Sequence, residues 1–230
     1  MKSMVRVIID AGMVVLLPLL MAYSLIGEMF HEIAGSAMLV LLVVHNILNR
    51  RWYGALFKGR YGARRIFQTA LDAVLFLFLL LQPVSGILIS KHLYTFLPTL
   101  NVSAAAREIH LIAAYWGIVL ASLHAGTHLT AVFGRLKKKK ALFAFVCAIA
   151  AVVSAYGVRA FIKRGFPGYM FGTAKFAFFD FEEPVLFFIA DYLAVMVLFA
   201  FLGCALMVGM ARIDKGSNRS GRDAVDRAAR

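Results

Sequence analysis

Four histidines stand in a pattern that can do chemistry. His31 and His45 are separated by thirteen residues in HEIAGSAMLVLLVVH, and His110 and His124 by thirteen in HLIAAYWGIVLASLH. Fourteen steps of about 100° leave an α-helix about 40° short of four full turns, so both histidines of a copy look out of nearly one face. At about 1.5 Å per residue they lie about 21 Å apart along the axis. Gly35 and Ala114, one turn in from the first histidine of each copy, are small. Midway, Gly117 leaves room in the second copy, where Met38 fills the first with packing. Two such helices side by side present two opposed histidine pairs with a slot between. That arrangement suits two stacked, six-coordinate b-type haems, each iron held by one imidazole from each helix. A single histidine in an apolar helix is more often a satisfied polar group; two copies at identical spacing favour ligation.

The elements that must carry these residues are membrane spans. The 230 residues are 62% hydrophobic with mean hydropathy +0.80, against about 45–50% apolar in soluble domains. Six apolar runs, roughly 6–27, 30–49, 67–90, 107–131, 141–162 and 185–210, reach the about 20 residues that cross a bilayer. The first is long enough to span and is not followed by a clear small-residue cleavage site, so no cleavable signal peptide is expected. The expected fold is all-α: a polytopic membrane protein of six transmembrane helices. Residues 1–131 form a four-helix haem-binding bundle of two repeated hairpins, and 132–210 an additional hairpin. Residues 211–230 form a basic, disordered cytoplasmic tail.

Lys and Arg set the orientation. Arg50, Arg51, Lys58, Arg60, Arg64 and Arg65 follow the second span, Arg135 and Lys137 to Lys140 the fourth, and the tail carries six more. The alternate loops are poorer. The positive-inside rule therefore puts both termini in the cytoplasm, and it accounts for the net charge of +13 without a nucleic-acid partner. The second and fourth spans then run in the same direction. His31 and His110 fall near the outer surface, His45 and His124 deeper toward the cytoplasm. Cys147 and Cys204 lie inside spans, outside any C-x-x-C-H motif, so neither covalent haem attachment nor a disulfide is expected.

Asp10 is echoed by Asp72, and Pro18 with Ser24 to Gly27 by Pro83 with Ser85 to Leu88, which supports a duplicated hairpin. The run GEMFHEIAGSAMLVLLVVHNILNRRWYGALFKGRY, with LDAVLFLFLLLQPVSGILIS and HLIAAYWGIVLASLHAGTH, resembles the flavinylation-associated membrane cytochromes over residues 5–130. More distantly it resembles ferric-reductase-like di-haem b cytochromes. The resemblance implies haem-ligand roles for His31, His45, His110 and His124. It also implies electron transfer across a bacterial cytoplasmic membrane to a flavinylated (FMN) protein outside.

The remaining candidates keep two readings each. His128 is five full turns from His110 and also faces the slot; it is an alternative inner ligand, though the matched spacing favours His124. Arg50 and Arg51 either bond haem propionates or serve only the charge bias, and Arg107 is a candidate for the outer haem. Asp10 and Asp72 read as first-turn carboxylates favoured by the helix dipole, ahead of a proton relay. Intramembrane Asp191 is a functional candidate, with Arg159 as its expected partner; His92 reads as solvated. The aromatic segment from Gly165 to Pro184 reads as an interfacial belt, with a redox-partner surface or quinone pocket as the alternative. The functions weighed are electron transfer from a quinol or cytoplasmic donor, a histidine-lined metal transporter, and a haem-containing anchor for a partner redox enzyme.

Overall fold

A computed structural model describes residues 2–96 and 103–228. They form helices α1 (Lys2–Met21), α2 (Tyr23–Ile26), α3 (Glu28–Leu48), α4 (Arg51–Ala55), α5 (Ala63–Leu88), α6 (Ser103–Leu136), α7 (Lys140–Lys163), α8 (Phe166–Met170) and α9 (Val185–Ala228), with no strand among the described residues. Six of them, α1, α3, α5, α6, α7 and α9, are long and apolar enough to cross a membrane. Helices satisfy every internal backbone group within the segment, which hydrocarbon demands. Apolar side chains such as Val15, Val40, Phe76, Val152 and Leu186 point outward, as lipid-facing residues should.

The helices close a ring. Helix α1 packs on α3, α3 on α5, α5 on α6, α6 on α9, and α9 returns to α1; α7 lies against α9. Helices α1, α3, α5 and α6 follow one another round this ring, and α9 stands between α6 and α1. Helix α6 is the centre. Its Ala113, Tyr115, Ile118, Val119 and Leu120 are buried, and Tyr115, Ile118 and Val119 form one cluster with Phe166, Tyr169, Phe188, Tyr192 and Val195.

Three glycines explain the closeness of α9. A Cβ on Gly126 would collide with the backbone of Ala200, one on Gly203 with that of Leu123, and one on Gly157 with that of Ala194. With apolar lipid outside, helices gain little by hiding apolar faces from it, and small residues that admit close backbone contact decide which helices pair.

The expected spans match α1, α3, α5, α6, α7 and α9, except that the first, 6–27, runs past the end of α1 at Met21 and takes in α2. The basic tail, expected to be disordered, instead continues α9 as far as Ala228.

Candidate functional site

Helices α3 and α6 run parallel, and their histidines meet in two layers. The His31 and His110 rings have centroids 6.0 Å apart and planes at 72°. The His45 and His124 rings are 6.5 Å apart at 74°. Edge-to-face aromatic contacts occupy the same range, about 4.5–7 Å, so distance alone is not diagnostic. What distinguishes these rings is how each is held.

Every one of the four Nδ1 atoms has an acceptor. His31 Nδ1 donates to the Leu20 carbonyl at 3.0 Å, one of the last four carbonyls of α1, which the helix leaves unused. His45 Nδ1 donates to Asp10 Oδ1 at 2.8 Å. His110 Nδ1 lies 3.2 Å from the Gln82 carbonyl and 3.2 Å from Ser85 Oγ. His124 Nδ1 donates to Asp72 Oδ1 at 2.7 Å. Carbonyl and carboxylate oxygens accept, so the proton sits on Nδ1 and each Nε2 keeps its lone pair. Two amides in fact donate toward an Nε2: Gln82 Nε2 to that of His110 at 3.2 Å, and Asn49 Nδ2 to that of His45 at 3.4 Å. An imidazole with Nδ1–H engaged and Nε2 available is the usual preparation of a metal ligand.

The partners repeat as the ligands do. Asp10 and Leu20 on α1 are ten residues apart, as are Asp72 and Gln82 on α5. Each hairpin supplies one carboxylate to the deeper histidine and one main-chain carbonyl to the other. The dipole reading of Asp10 and Asp72 is thereby corrected. Helices α1 and α5 begin at Lys2 and Ala63, so neither aspartate lies in a first turn; both lie well inside, at the depth of the histidines.

One glycine leaves room for a flat group. Gly117 is buried, yet a Cβ there would meet nothing within 4 Å. Gly86 is tight for another reason: its Cβ would come 3.1 Å from His110 Cε1, so glycine lets α5 approach that ring. Glu32, beside His31, anchors α3 to the end of α5. It accepts from the backbone N–H of Lys91 at 2.8 Å and Leu93 at 2.8 Å, from His92, and from Ser90 Oγ at 2.7 Å. Glu28 takes Lys91 Nζ at 2.9 Å, which raises the Lys91 pKa through that hydrogen bond. His92, expected in solvent, lies 3.8 Å from Glu28 Oε2.

Imidazoles bound to one metal through bonds of about 2.0–2.1 Å, in rings whose bonds of about 1.33 Å put each atom about 1.1 Å from the centroid, would have centroids about 6.4 Å apart. Both layers stand near that separation, which plain edge-to-face pairs also show; it is the Nδ1 acceptor on all four rings that suits the donor set to a bis-imidazole iron. Among the described residues no group of three or more His, Cys, Asp or Glu could hold a metal ion. Each layer therefore offers a metal two protein donors. That is enough where a porphyrin supplies four more and too few for the usual four-coordinate protein site.

The other candidates separate. His128 is exposed, with its ring 4.7 Å from that of His124; the ring opposite His45 is that of His124. Arg50 is exposed and donates to Ile47 O at 3.4 Å, and Arg51 lines an open pocket with Trp52, Lys58 and Arg65. Among the described residues no hydrogen bond or ion pair joins Arg50, Arg51 or Arg107 to a histidine layer. Cys147 and Cys204 are free, as expected.

Asp191 pairs with the end of α7, not with Arg159. Its Oδ2 is 2.8 Å from Arg164 Nε and 3.0 Å from Lys163 Nζ, and Tyr156 donates to its Oδ1. Arg159 is on the exposed side of α7. Lys163 and Arg164 also bind Glu183, at 2.8 and 2.6 Å. Burial pushes the Glu183 carboxyl up, but these two hydrogen bonds outweigh it and hold it below the ordinary range. The cluster fastens the 165–184 segment to the bundle. The segment's aromatics divide accordingly: Phe166 and Tyr169 are buried, Tyr169 stacking on Tyr115 at 4.3 Å, while Phe171, Phe176, Phe178 and Phe181 are exposed.

The chain matches no protein-family model, no curated protein and no solved structure.

Proposed function

We propose that this protein is a di-haem b-type cytochrome that carries electrons across a membrane. His31 and His110 are assigned to one haem, His45 and His124 to the other. The observation that carries the reading is the doubled layer of opposed imidazoles, each with Nδ1 held by an acceptor. A lone pair of facing histidines would not need all four tautomers set alike.

Bound haem supplies a one-electron carrier, and the protein's part is ligation, burial and tuning of potential. Leu20, Gln82 and Ser85 orient the outer pair, and Asp10 and Asp72 the inner pair. The apolar surroundings of α3 and α6 exclude water, and the open space at Gly117 lies between the layers. Propionates need cationic or hydrogen-bonding partners; Arg50, Arg51 and Arg107 are the basic residues nearest the layers in sequence, and His128 offers a ring beside His124.

On the charge bias both termini lie in the cytoplasm and His45–His124 on the cytoplasmic side; the resemblance makes the membrane a bacterial one. The family resemblance makes an extracytoplasmic flavinylated protein the acceptor and a quinol or cytoplasmic reductant the donor. Two-histidine layers do not favour a metal permease.

The test is haem content. Purified protein should give two haem b per chain by pyridine haemochrome, with sharp α and Soret bands on dithionite reduction. The oxidised protein should give low-spin signals by electron paramagnetic resonance. A ratio near zero sinks the proposal, and a ratio near one leaves a single layer.

A further inference from the structure

The two layers are alike in ligands and unlike in what stands behind them. Both inner histidines donate Nδ1–H to a carboxylate, Asp10 at 2.8 Å and Asp72 at 2.7 Å. Both outer histidines donate to neutral oxygens, Leu20 O at 3.0 Å and Gln82 O or Ser85 Oγ at 3.2 Å. Among the described residues no Lys or Arg pairs with Asp10 or Asp72; each carboxylate meets only its imidazole. Glu32, next to His31, is committed to the N–H groups of Lys91, His92 and Leu93 and to the Ser90 hydroxyl. A carboxylate therefore accepts Nδ1–H from both inner rings and from neither outer ring; Glu32, held only by neutral donors, keeps its charge but does not bond the His31 ring.

A carboxylate accepting Nδ1–H makes the imidazole a stronger donor at Nε2. Charge-assisted hydrogen bonds are roughly twice as strong as neutral ones. A stronger donor and a nearby negative charge both stabilise the oxidised, more positive iron over the reduced one. Second-shell hydrogen bonding and burial are the levers by which a protein sets haem potential.

We infer that Asp10 and Asp72 are tuning residues that hold the haem at His45 and His124 at a lower reduction potential than the haem at His31 and His110. The inference rests on the di-haem reading above. The downhill direction for one electron then runs from the inner layer to the outer, with no bond made or broken and no proton required. Asp10 and Asp72 both lie inside membrane spans, where what is exposed meets lipid and not salt water, so both charges act on the inner layer.

The test is an optical redox titration of the full-length protein. Single-layer proteins assign the potentials: His31→Ala keeps the inner haem, His45→Ala the outer. The inner value should be the lower. Asp72→Asn should raise only the low-potential component, by a tenfold or greater change in its oxidised-to-reduced ratio at fixed potential, about 59 mV for one electron. Asp10→Asn should raise the same component, and Asp72→Glu, which keeps the carboxylate, should stay near the wild-type value. A purely structural aspartate would not give that shift with rescue. An inner potential equal to or above the outer one overturns the inference whether or not the Asn proteins keep their haem. So does an unmoved low-potential component in a haem-replete Asp10→Asn/Asp72→Asn protein. Absence of haem from the wild type instead overturns the underlying di-haem reading, and pyridine haemochrome distinguishes the two failures.

Discussion

Replacing Gly203 by Ala should destabilise the protein, although glycine in a helix is ordinarily the worse residue. Gly203 lies where α9 crosses α6. A Cβ there would stand 3.1 Å from Leu123 C and 3.2 Å from Leu123 Cα, with the carbonyl oxygen closer still. Gly126 is tighter, 2.7 Å from Ala200 C and 2.8 Å from Ala200 Cα. Ordinary contact begins at 3.4 Å, so Gly126→Ala requires a separation of at least 0.7 Å between backbones that cannot fold aside. Overpacking of this kind costs about 1–3 kcal/mol, against a helix-propensity gain of about 0.5–1 kcal/mol. The net expectation is a loss of about 0–2.5 kcal/mol at either site. Gly209, also in α9, has nothing within 4 Å of its would-be Cβ, so Gly209→Ala should gain about 0.5–1 kcal/mol. The assay is reversible unfolding in mixed micelles with increasing dodecyl sulfate, followed by far-ultraviolet circular dichroism. Because Leu123 precedes His124, the displacement should also disturb the inner layer, read in the low-spin signal. If Gly203→Ala and Gly126→Ala stabilise as Gly209→Ala does, the close crossing of α6 and α9 is refuted.

Three other predictions concern the site and its frame. His31→Ala or His110→Ala should remove one haem per chain, and His45→Ala or His124→Ala the other, each leaving the layer about 21 Å away spectrally intact; His128→Ala should leave both, and loss of the inner haem in His128→Ala with retention in His124→Ala would reverse the ligand assignment. Because the folded pKa of Glu183 is depressed from 4.5, its contribution to docking the 165–184 segment is complete above pH 4.5 and is lost as pH falls through the folded value. Protease cleavage within 171–181 should accelerate on acidification below pH 4.5, and Glu183→Gln should abolish that acceleration; equal acid dependence in both proteins refutes the assignment. Reporter fusions at Arg60, Lys138 and the C-terminus should behave as cytoplasmic and one at Asn101 as external, and an external signal from the Arg60 fusion would reverse the sides assigned to the two layers.

Composition and spacing alone decide several things about this chain. Apolar runs of membrane length leave helices as the natural spanning structure, because hydrocarbon offers no partner for an open backbone group. The fourteen-residue histidine spacing puts two rings on one helix face, since it lies close to a whole number of turns. Other features exist only once the helices are placed beside one another. That α3 faces α6 depends on the order of helices round the ring, and a span surrounded by lipid carries little hydrophobic periodicity to announce it. The repeat of Asp10 and Asp72 is visible in the sequence, but their role is not. A helix start displaced by four residues moves both from the first turn to the depth of the histidines, where they can meet Nδ1. Arg164, and not Arg159, reaches Asp191 because rotation about α7 decides which basic residue turns toward α9. The place of α9 in the ring rests on Gly126, Gly157 and Gly203, each of which reads as an unremarkable small residue until the backbone opposite it is known. Close backbone packing and buried hydrogen bonds decide association within a membrane, and both are properties of two segments at once.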